Sequence, residues 1–245
     1  MVEIRLLGAV EAVVDGVVRG LGHARQRCVL AGLAVDVNRP VGYDQLVHRV
    51  WGGTPPPRPR AALYGYLYRL RRLLAGARGV ALVRGPGYYQ LTAPPDVVDL
   101  HRFELVVESA RRTGDDARRV ELYDDALALW RGTAFTGLDT PWLDDVRAVL
   151  EQRRHLAERH RTEAALRLGR CDEVVADLVA RTRAHPFDEH LAAQLMLALH
   201  GMGRTAEAFT VHRAMCGLLA EELGTGPGEA LRAAHDRLLR TPVGG

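Results

Sequence analysis

The sequence of 245 residues contains no lysine, and all 33 of its basic residues are arginine. A Walker-type phosphate loop ends in Gly-Lys-Ser/Thr and a Schiff base needs a lysine amine, so both chemistries are excluded. Cysteine is scarce as well, because Cys28, Cys171 and Cys216 are an odd number of residues at wide spacing. They give neither a disulfide framework nor a zinc ligand pair, and we expect reduced thiols that are buried or half-buried.

Long apolar runs are also missing. The longest, at residues 29–35, has about seven residues, whereas a membrane span needs roughly 18. The chain begins Met1-Val2-Glu3, with an acid where a signal peptide carries its basic region, and no apolar segment follows. We therefore expect a cytoplasmic protein without a membrane partner.

Length and composition favour two folded domains. Hydrophobic residues make up 47% of the chain and charged residues 26%, which excludes disorder by composition. The net charge of +3 is divided unevenly. Residues 1–95 carry 13 arginines against 5 acids, and residues 96–245 carry 20 arginines against 25 acids. A basic half joined to an acidic half indicates that the first half meets a polyanion.

The first 95 residues have the pattern of a small sheet, three helices and a terminal hairpin. Apolar and polar residues alternate at 2–6, and a mostly apolar segment follows at 10–14. With Asp15-Gly16 as a turn, these segments predict three or four short antiparallel strands. Apolar residues at three- and four-residue spacing predict a helix over about 23–37. Residues 43–51 predict a second helix, which ends at Gly52-Gly53.

A third helix is predicted from Arg60 to about Ala75. One face is an apolar stripe of leucines at 63, 67, 70 and 74, and the opposite face carries small, aromatic and basic residues. That face comprises Ala61, Gly65, Tyr68 and Arg72, with Tyr64 and Arg69 on its flanks. A helix of this kind fits the DNA major groove, although a solvated surface helix would show the same pattern.

A strand–turn–strand hairpin is predicted over residues 80–91, with Gly85-Pro86-Gly87 as its turn. Arg84 and Tyr88 stand on either side of this turn, where the wing of a winged helix lies along the minor groove or the backbone. An ordinary hairpin with Tyr88 packed on the core is the alternative. The helix, the hairpin and the charge distribution together favour DNA binding.

The second half is almost entirely helical in pattern. Residues 92–96 form a proline-rich linker, which divides the chain into domains at 1–95 and 96–245. Helices are predicted near 100–113, 115–131, 141–169, 171–184, 188–201, 204–222 and 228–240. Gly169-Arg170 and Gly203-Arg204 stand 34 residues apart, which is the period of tetratricopeptide repeats and indicates a short α-solenoid.

An ordered set of motifs resembles one family, the Streptomyces antibiotic regulatory proteins (SARPs), from about residue 4 to residue 239. In the first half these are QRCVLAGL (26–33), LVHRVWG (46–52), LYRLRRLL (67–74) and GPGY (85–88). In the second half VDLHRF (98–103), ALALWRG (126–132), HPFDE (185–189), QLMLAL (194–199) and EELGTGP (221–227) resemble the family's bacterial transcriptional activator domain.

The resemblance implies an α+β winged helix-turn-helix of the OmpR type, followed by an all-α tetratricopeptide-like helical domain. It implies a sequence-specific transcriptional activator of a secondary-metabolite (antibiotic) biosynthesis cluster, with no cofactor and no metal. Such a protein binds double-stranded DNA at direct repeats near a promoter, as a homodimer, and recruits RNA polymerase through its sigma factor.

The expected DNA-binding residues are arginines and tyrosines of the third helix and the hairpin: Arg60, Tyr64, Tyr68, Arg69, Arg71, Arg72, Arg84 and Tyr88. The resemblance assigns Arg69 and Arg71 to the recognition helix, and Arg84 and Tyr88 to the wing. A helical wheel places Arg71 nearer the flank, so we expect it to contact phosphate rather than bases. Ala62, where the family often has Thr, and the two helix tyrosines leave the operator sequence open.

The loop before the third helix comprises Thr54, Pro55, Pro56, Pro57 and Arg58. In similar winged helices this loop faces RNA polymerase, and the resemblance implies the same contact here. A rigid connector, stiffened by the three prolines, is the alternative.

An enzyme is the competing class, and the residues argue against it. The histidine pairs 155/160 and 185/190 are five residues apart, which rotates the second ring off the helix face that a metal needs. Adjacent carboxylates at 124–125 and 144–145 point apart on a helix. A protein-binding adaptor that uses the helical repeats and a repressor with the same DNA-binding mode both stay open.

Overall fold

A computed structural model describes residues 2–240, and its contacts divide the chain into two compact units. The first unit comprises the residues up to 111 together with 124–157, and the second comprises 112–123 and the residues from 158 onwards. The sequence analysis expected domains at 1–95 and 96–245, which means segments that fold independently. A division by contacts does not test which segments fold independently. That boundary therefore stays a prediction.

The first unit begins with an antiparallel meander of β1 (Val2–Arg5), β2 (Glu11–Val14) and β3 (Val17–Arg19). Asp15 and Gly16 both have positive φ, +53° and +78°, as a two-residue type I′ hairpin turn requires. The alternating pattern predicted this sheet. Its third strand is exposed along its whole length, because no further strand of the described chain pairs with it.

Three helices follow: α1 (Ala24–Ala34), α2 (Tyr43–Trp51) and α3 (Pro59–Leu74). The second sheet has the order β4-β6-β5, from β4 (Val41–Gly42), β5 (Ala81–Gly85) and β6 (Tyr88–Thr92). The hairpin β5–β6 and the three helices agree with the prediction. The sequence analysis missed β4, since two residues are too short for a period-2 pattern.

Asn38 joins the end of α1 to the hairpin. It has a φ of +63°, a left-handed conformation that Asn adopts more readily than most residues. Its backbone N–H donates to the Leu91 carbonyl at 2.8 Å, and its side-chain amide exchanges two hydrogen bonds with the backbone of Ala93. The helix therefore ends before the predicted Val37, because the chain turns here to meet β6.

Asp99 ties the chain beyond the hairpin to the first sheet. A 3₁₀ turn (Pro95–Val97) leads into α4 (Asp99–Arg112). The fully buried Asp99 carboxylate accepts the backbone N–H groups of Leu6 and Leu7, at 2.7 Å and 3.1 Å. Burial raises the pKa of Asp99, while these two N–H donors and Arg131 oppose that rise. The start of α4 is thus fixed against the end of β1.

The rest of the described chain is helical, as the pattern predicted. It comprises α5 (Asp116–Leu127), α6 (Pro141–Arg167), α7 (Asp172–Ala184), α8 (Glu189–Gly201), α9 (Thr205–Leu218) and α10 (Glu229–Arg240). A π-helical turn, Leu219–Leu223, extends α9 where one continuous helix was expected. Helix α5 ends four residues before the predicted limit of 131.

The 34-residue repeat is visible in the backbone of the second unit. Gly169 and Gly203 have φ values of +73° and +76°, and each ends a helix. The N–H groups of Arg170 and Arg204 donate to carbonyls five residues earlier, at 3.0 Å and 2.9 Å. This is the Schellman arrangement, which needs glycine at the left-handed position. The two helix–turn–helix pairs therefore share one turn geometry.

Candidate nucleic-acid interface

Helix α3 has one buried face and one exposed face, as its leucine stripe predicts. Leu63, Leu67 and Leu70 are fully buried, and Leu74 is nearly so. On the other side Tyr68 is 60% exposed and Tyr64 is 42% exposed, and the side chains of Arg60, Arg69 and Arg72 are exposed as well. Two large aromatic rings in water on a helix that also carries arginines form a surface suited to a ligand.

The loop before α3 is largely open to solvent. Thr54, Pro55, Pro57 and Arg58 are exposed and Pro56 is half-buried. Thr54 turns the chain after α2, since its backbone N–H and its hydroxyl both lie within 3.4 Å of the Trp51 carbonyl. Pro59 takes the first helical position, where a missing N–H costs nothing. The expected polymerase-contact loop is therefore accessible, and its contact stays a prediction.

Arg69 is exposed but anchored. Its Nε donates to Gln26 Oε1 at 2.6 Å, and its guanidinium lies 5.3 Å from the centre of the Tyr66 ring. Its terminal nitrogens also lie 3.8 Å from where a Cβ of Gly65 would stand. A Cβ at position 65 would therefore meet Arg69 at an ordinary contact distance.

Arg71 and Arg72 differ in their surroundings. Arg71 is half-buried, and its Nε donates to the Leu82 carbonyl of β5 at 3.0 Å, so it links the helix to the hairpin. Only its terminal nitrogens remain for the phosphate contact that the sequence predicts. Arg72 is exposed, and its guanidinium lies 6.0 Å from the centre of the Tyr68 ring. Arg72 is therefore the more available of the two guanidinium groups.

The hairpin turn is built from Pro86 and Gly87. Pro86 fixes its own φ, and Gly87 has a φ of +77°, the combination that a type II turn requires. The Gly87 carbonyl accepts the backbone N–H of Tyr43 at 2.9 Å, which attaches the turn to the start of α2. The hairpin is thus held at its tip as well as along β6.

Tyr88 lies flat across the hairpin. It pairs with Gly85 on β5 and with Gly42 on β4. A Cβ on Gly85 would stand only 2.2 Å from the Tyr88 ring, so glycine is required beneath it. The ring is half-buried, a position between the two alternatives of a free wing residue and a core residue. Its contact with DNA stays a prediction.

Tyrosines and arginines converge where α2, α3 and the hairpin meet. The Arg84 guanidinium lies 4.8 Å from the Tyr64 ring centre, and the Arg60 guanidinium lies 4.8 Å from that of Tyr43. These four side chains line a cavity of about 160 Å³ together with Tyr88 and Tyr89. Stacked guanidinium groups keep their N–H donors free for a phosphate.

Besides Tyr89, the sequence analysis missed Tyr43 in this cluster. Its hydroxyl is buried, and no hydrogen-bond partner for it lies among residues 2–240. Burial raises the pKa of the neighbouring Tyr89, with Tyr64 adding to the rise and Arg84 opposing it. No spacing rule marks Tyr43, since it stands alone at the start of a short helix. It is brought to the site by the β4–β6 pairing, which was not predicted.

Helix α2 is locked in place by the buried Arg49. Its two terminal nitrogens donate to the Gly32 carbonyl and to Asp36 Oδ2, both at 2.6 Å. Its guanidinium also lies 4.4 Å from the Trp142 ring centre. Arg49 is therefore a packing residue and is not available to an anion.

The surroundings of His160 and of two cysteines bear on the enzymatic alternative. No group of three His, Cys, Asp or Glu side chains close enough to hold a metal occurs in the described range 2–240. His160 lies 3.2 Å from the hydroxyl of the buried Tyr123. Burial raises the pKa values of the Cys28 and Cys171 thiols, which makes their thiolates unfavourable. Within the same range no helix is both long and apolar enough to cross a membrane.

A winged helix-turn-helix whose third helix exposes arginines and tyrosines, followed by helical repeats, is an architecture typical of DNA-binding transcriptional regulators. The family model "bacterial transcriptional activator domain" matches residues 98–239. The chain belongs to the SARP family of transcriptional regulators, whose OmpR-type winged helix precedes that domain.

Relatives match almost the whole chain. Transcriptional regulatory protein EmbR of Mycobacterium tuberculosis is 35% identical over 242 residues, which cover 96% of this chain and 62% of EmbR. Transcriptional regulator RedD of Streptomyces coelicolor is 31% identical over 246 residues, which cover 97% of this chain and 70% of RedD. Regulatory protein AfsR of the same species is 34% identical, and the match covers 96% of this chain and 24% of AfsR. All three relatives are regulatory proteins by name.

A solved structure shows the same fold. It is that of Mycobacterium tuberculosis EmbR in complex with a low-affinity phosphopeptide, with a TM-score of 0.89 and 35% identity. The match covers 98% of this chain and 65% of EmbR. The chain therefore spans about two thirds of that relative.

Proposed function

We propose that this regulator activates transcription by binding direct repeats near the promoter of a secondary-metabolite cluster, as a homodimer that contacts the sigma factor of RNA polymerase. The observation that carries the DNA-binding part is the exposed arginine and tyrosine face of α3, next to Arg84 of the hairpin. The activating part is supported by the match to the bacterial transcriptional activator domain. DNA binding implies that the protein acts in the cytoplasm.

The four exposed arginines of α3 and the hairpin fall into two groups, according to the contact with DNA that each one favours. Arg69 and Arg72 stand on the exposed face of α3, where arginines bind base edges or phosphates. Arg60 and Arg84 flank the small cavity at the end of the hairpin, with tyrosine rings beneath them. We assign these two to a backbone phosphate. The buried Tyr43 hydroxyl beside them supplies a further donor for a phosphate oxygen.

Arginine substitutions test the DNA-binding face. Arg69→Ala is expected to remove specific binding, but it also deprives the buried Gln26 of its partner, so its thermal melt must be recorded. Arg72→Ala is the cleaner variant, since the Arg72 guanidinium forms no hydrogen bond or ion pair within residues 2–240 and lies near an exposed tyrosine ring. We expect a loss of about tenfold or more in operator affinity, measured by fluorescence anisotropy. Arg118→Ala, an exposed arginine paired only with Glu121, is the matched control.

Activation is tested separately from binding. Arg58→Ala in the exposed loop is expected to leave operator affinity unchanged and to lower transcript yield in run-off transcription with RNA polymerase holoenzyme. A footprint over two equally oriented half-sites would support direct repeats and a dimer. Normal activation by the Arg58 variant would remove the loop from the proposal. A decrease in transcript on addition of the wild-type protein would identify a repressor.

A further inference from the structure

One cavity of the first unit is lined by none of the expected DNA-binding residues. It has a volume of about 780 Å³ and is bounded by the turn after α1, by α4 and by the first half of α6. Pockets that bind small molecules have volumes of about 300–1,000 Å³. Neither the DNA contacts nor the polymerase loop uses this cavity.

One wall of the cavity is apolar. Leu100 of α4 and Leu150 of α6 are buried beside it, and Val37 closes its end. Val149 also lines it and is 47% exposed, which is high for a branched aliphatic side chain. An apolar group placed against Val149 would remove this surface from water, which is favourable. The wall therefore suits an apolar molecular body.

The charged wall contains one cation, Arg39, whose N–H donors are unbonded within residues 2–240, although its charge helps to lower the pKa of Glu104 after the larger effect of His101. Glu104 is held by His101, whose Nδ1 lies 3.3 Å from Glu104 Oε2, and by a direct contact with Arg153. Asp36 is occupied by Arg49 at 2.6 Å. The side chain of Arg39 is exposed at the cavity and forms no hydrogen bond or ion pair within residues 2–240. Its guanidinium is free to bind a carboxylate through two N–H donors.

Asp145 is the remaining acid of the cavity. It is exposed on α6, and it forms no ion pair with Arg39 or with another basic residue of the described chain. A free carboxylate accepts a hydrogen bond from a hydroxyl or an amine, and it repels a second negative charge. The cavity therefore combines one cation, one acceptor and an apolar wall.

We propose that this cavity binds a small hydrophobic carboxylic acid that also carries a hydroxyl or amino donor. Its carboxylate pairs with Arg39, its donor group faces Asp145, and its apolar body lies on Val149 and Leu150. The ligand class follows from these three features alone. None of the residues that line the cavity is an expected contact with DNA.

The position of the cavity connects it to the recognition elements. The turn that carries Arg39 also carries Asp36, which holds Arg49 of α2, and Asn38, which holds β6. A ligand that bridges Arg39 and α6 would order this turn. If the DNA-free and the DNA-bound forms of the protein hold this turn differently, the ligand would shift the affinity for DNA. This consequence rests on the proposed function.

The test uses 3-hydroxy-2-naphthoate as the probe, measured by isothermal titration calorimetry with the whole chain. It has an apolar ring system, a carboxylate and a hydroxyl, while 2-naphthol lacks the carboxylate. We expect saturable one-to-one binding that is weakened about tenfold or more by Arg39→Gln, and weaker binding of 2-naphthol. Val149→Glu, at an exposed position, is expected to weaken binding by a similar factor. Arg78→Gln, another exposed arginine of this unit, is the control and should bind as the wild type does.

The outcomes separate the site from the function. No saturable binding of the naphthoate, or equal binding by the Arg39 variant and the wild type, would overturn the site, provided that the variants melt like the wild type. Naphthoate binding together with an unchanged operator affinity would overturn the link to DNA and leave the site in place. Naphthoate binding by a protein that binds no promoter fragment would instead contradict the proposed function.

Discussion

Removal of the Asp99 carboxylate should destabilise the protein strongly, although this residue is not one of the expected contacts with DNA. In Asp99→Ala the N–H groups of Leu6 and Leu7 lose their acceptors. Both residues are fully buried, so water cannot replace the carboxylate without a rearrangement. Each unsatisfied buried donor costs about 1–3 kcal/mol, which gives a loss of about 2–6 kcal/mol in the free energy of unfolding.

The partly exposed ion pair with Arg131 is left out of that figure, since such pairs contribute little. Asp99→Asn keeps one oxygen acceptor but turns a donor toward the second N–H, so its loss should lie between those of the wild type and the alanine variant. Urea unfolding followed by circular dichroism measures both losses. A loss of less than about 1 kcal/mol for Asp99→Ala would refute the view that this carboxylate holds the first strand to α4.

Three other substitutions probe the core, the titration behaviour and the hairpin. Leu67→Ala empties a fully buried position and should cost about 2–5 kcal/mol in urea unfolding. Burial opposes protonation of His101, but Glu104 and a backbone carbonyl outweigh it and raise the pKa of the ring. The stability that protonated His101 contributes is thus present below about pH 6.5, the pKa of an unperturbed imidazole, and is lost as the pH rises through the higher pKa of the folded protein. The free energy of unfolding of the wild type should therefore exceed that of His101→Gln by less at about pH 8.5 than at about pH 5.5. Gly85→Ala must displace the Tyr88 ring, and we expect weaker operator binding by anisotropy with a small change in melting temperature.

Local patterns predicted the elements that depend on local physics. The leucine stripe of α3 fixed which face is buried, because side chains three and four residues apart share one side of a helix. The two Gly-Arg pairs marked turns that need a left-handed residue, and the backbone shows the same turn at both. Asp15-Gly16 marked the first hairpin for a similar reason.

Long-range contacts could not be predicted in this way. The tie between Asp99 and β1 joins residues more than 90 positions apart, and nothing near Asp99 in the sequence indicates its partners. Strand β4 is too short to show a pattern, yet its pairing with β6 brings Tyr43 to the candidate site. The contact between Arg71 and Leu82 likewise depends on how the hairpin packs on α3. The sequence identified the arginines of the site but not the scaffold that orders them.

Salt dependence of promoter binding tests the central claim most directly. Fluorescence anisotropy with promoter fragments upstream of the neighbouring genes would be recorded at 50 mM and 200 mM salt. If Arg60, Arg69, Arg72 and Arg84 each neutralise one phosphate, affinity for the operator should fall about a hundredfold between these concentrations for each protomer that is bound. Tight binding to one fragment with that decrease is the predicted result. Equal affinity for all fragments, or binding that does not respond to salt, would contradict DNA recognition by this face and favour a protein-binding adaptor.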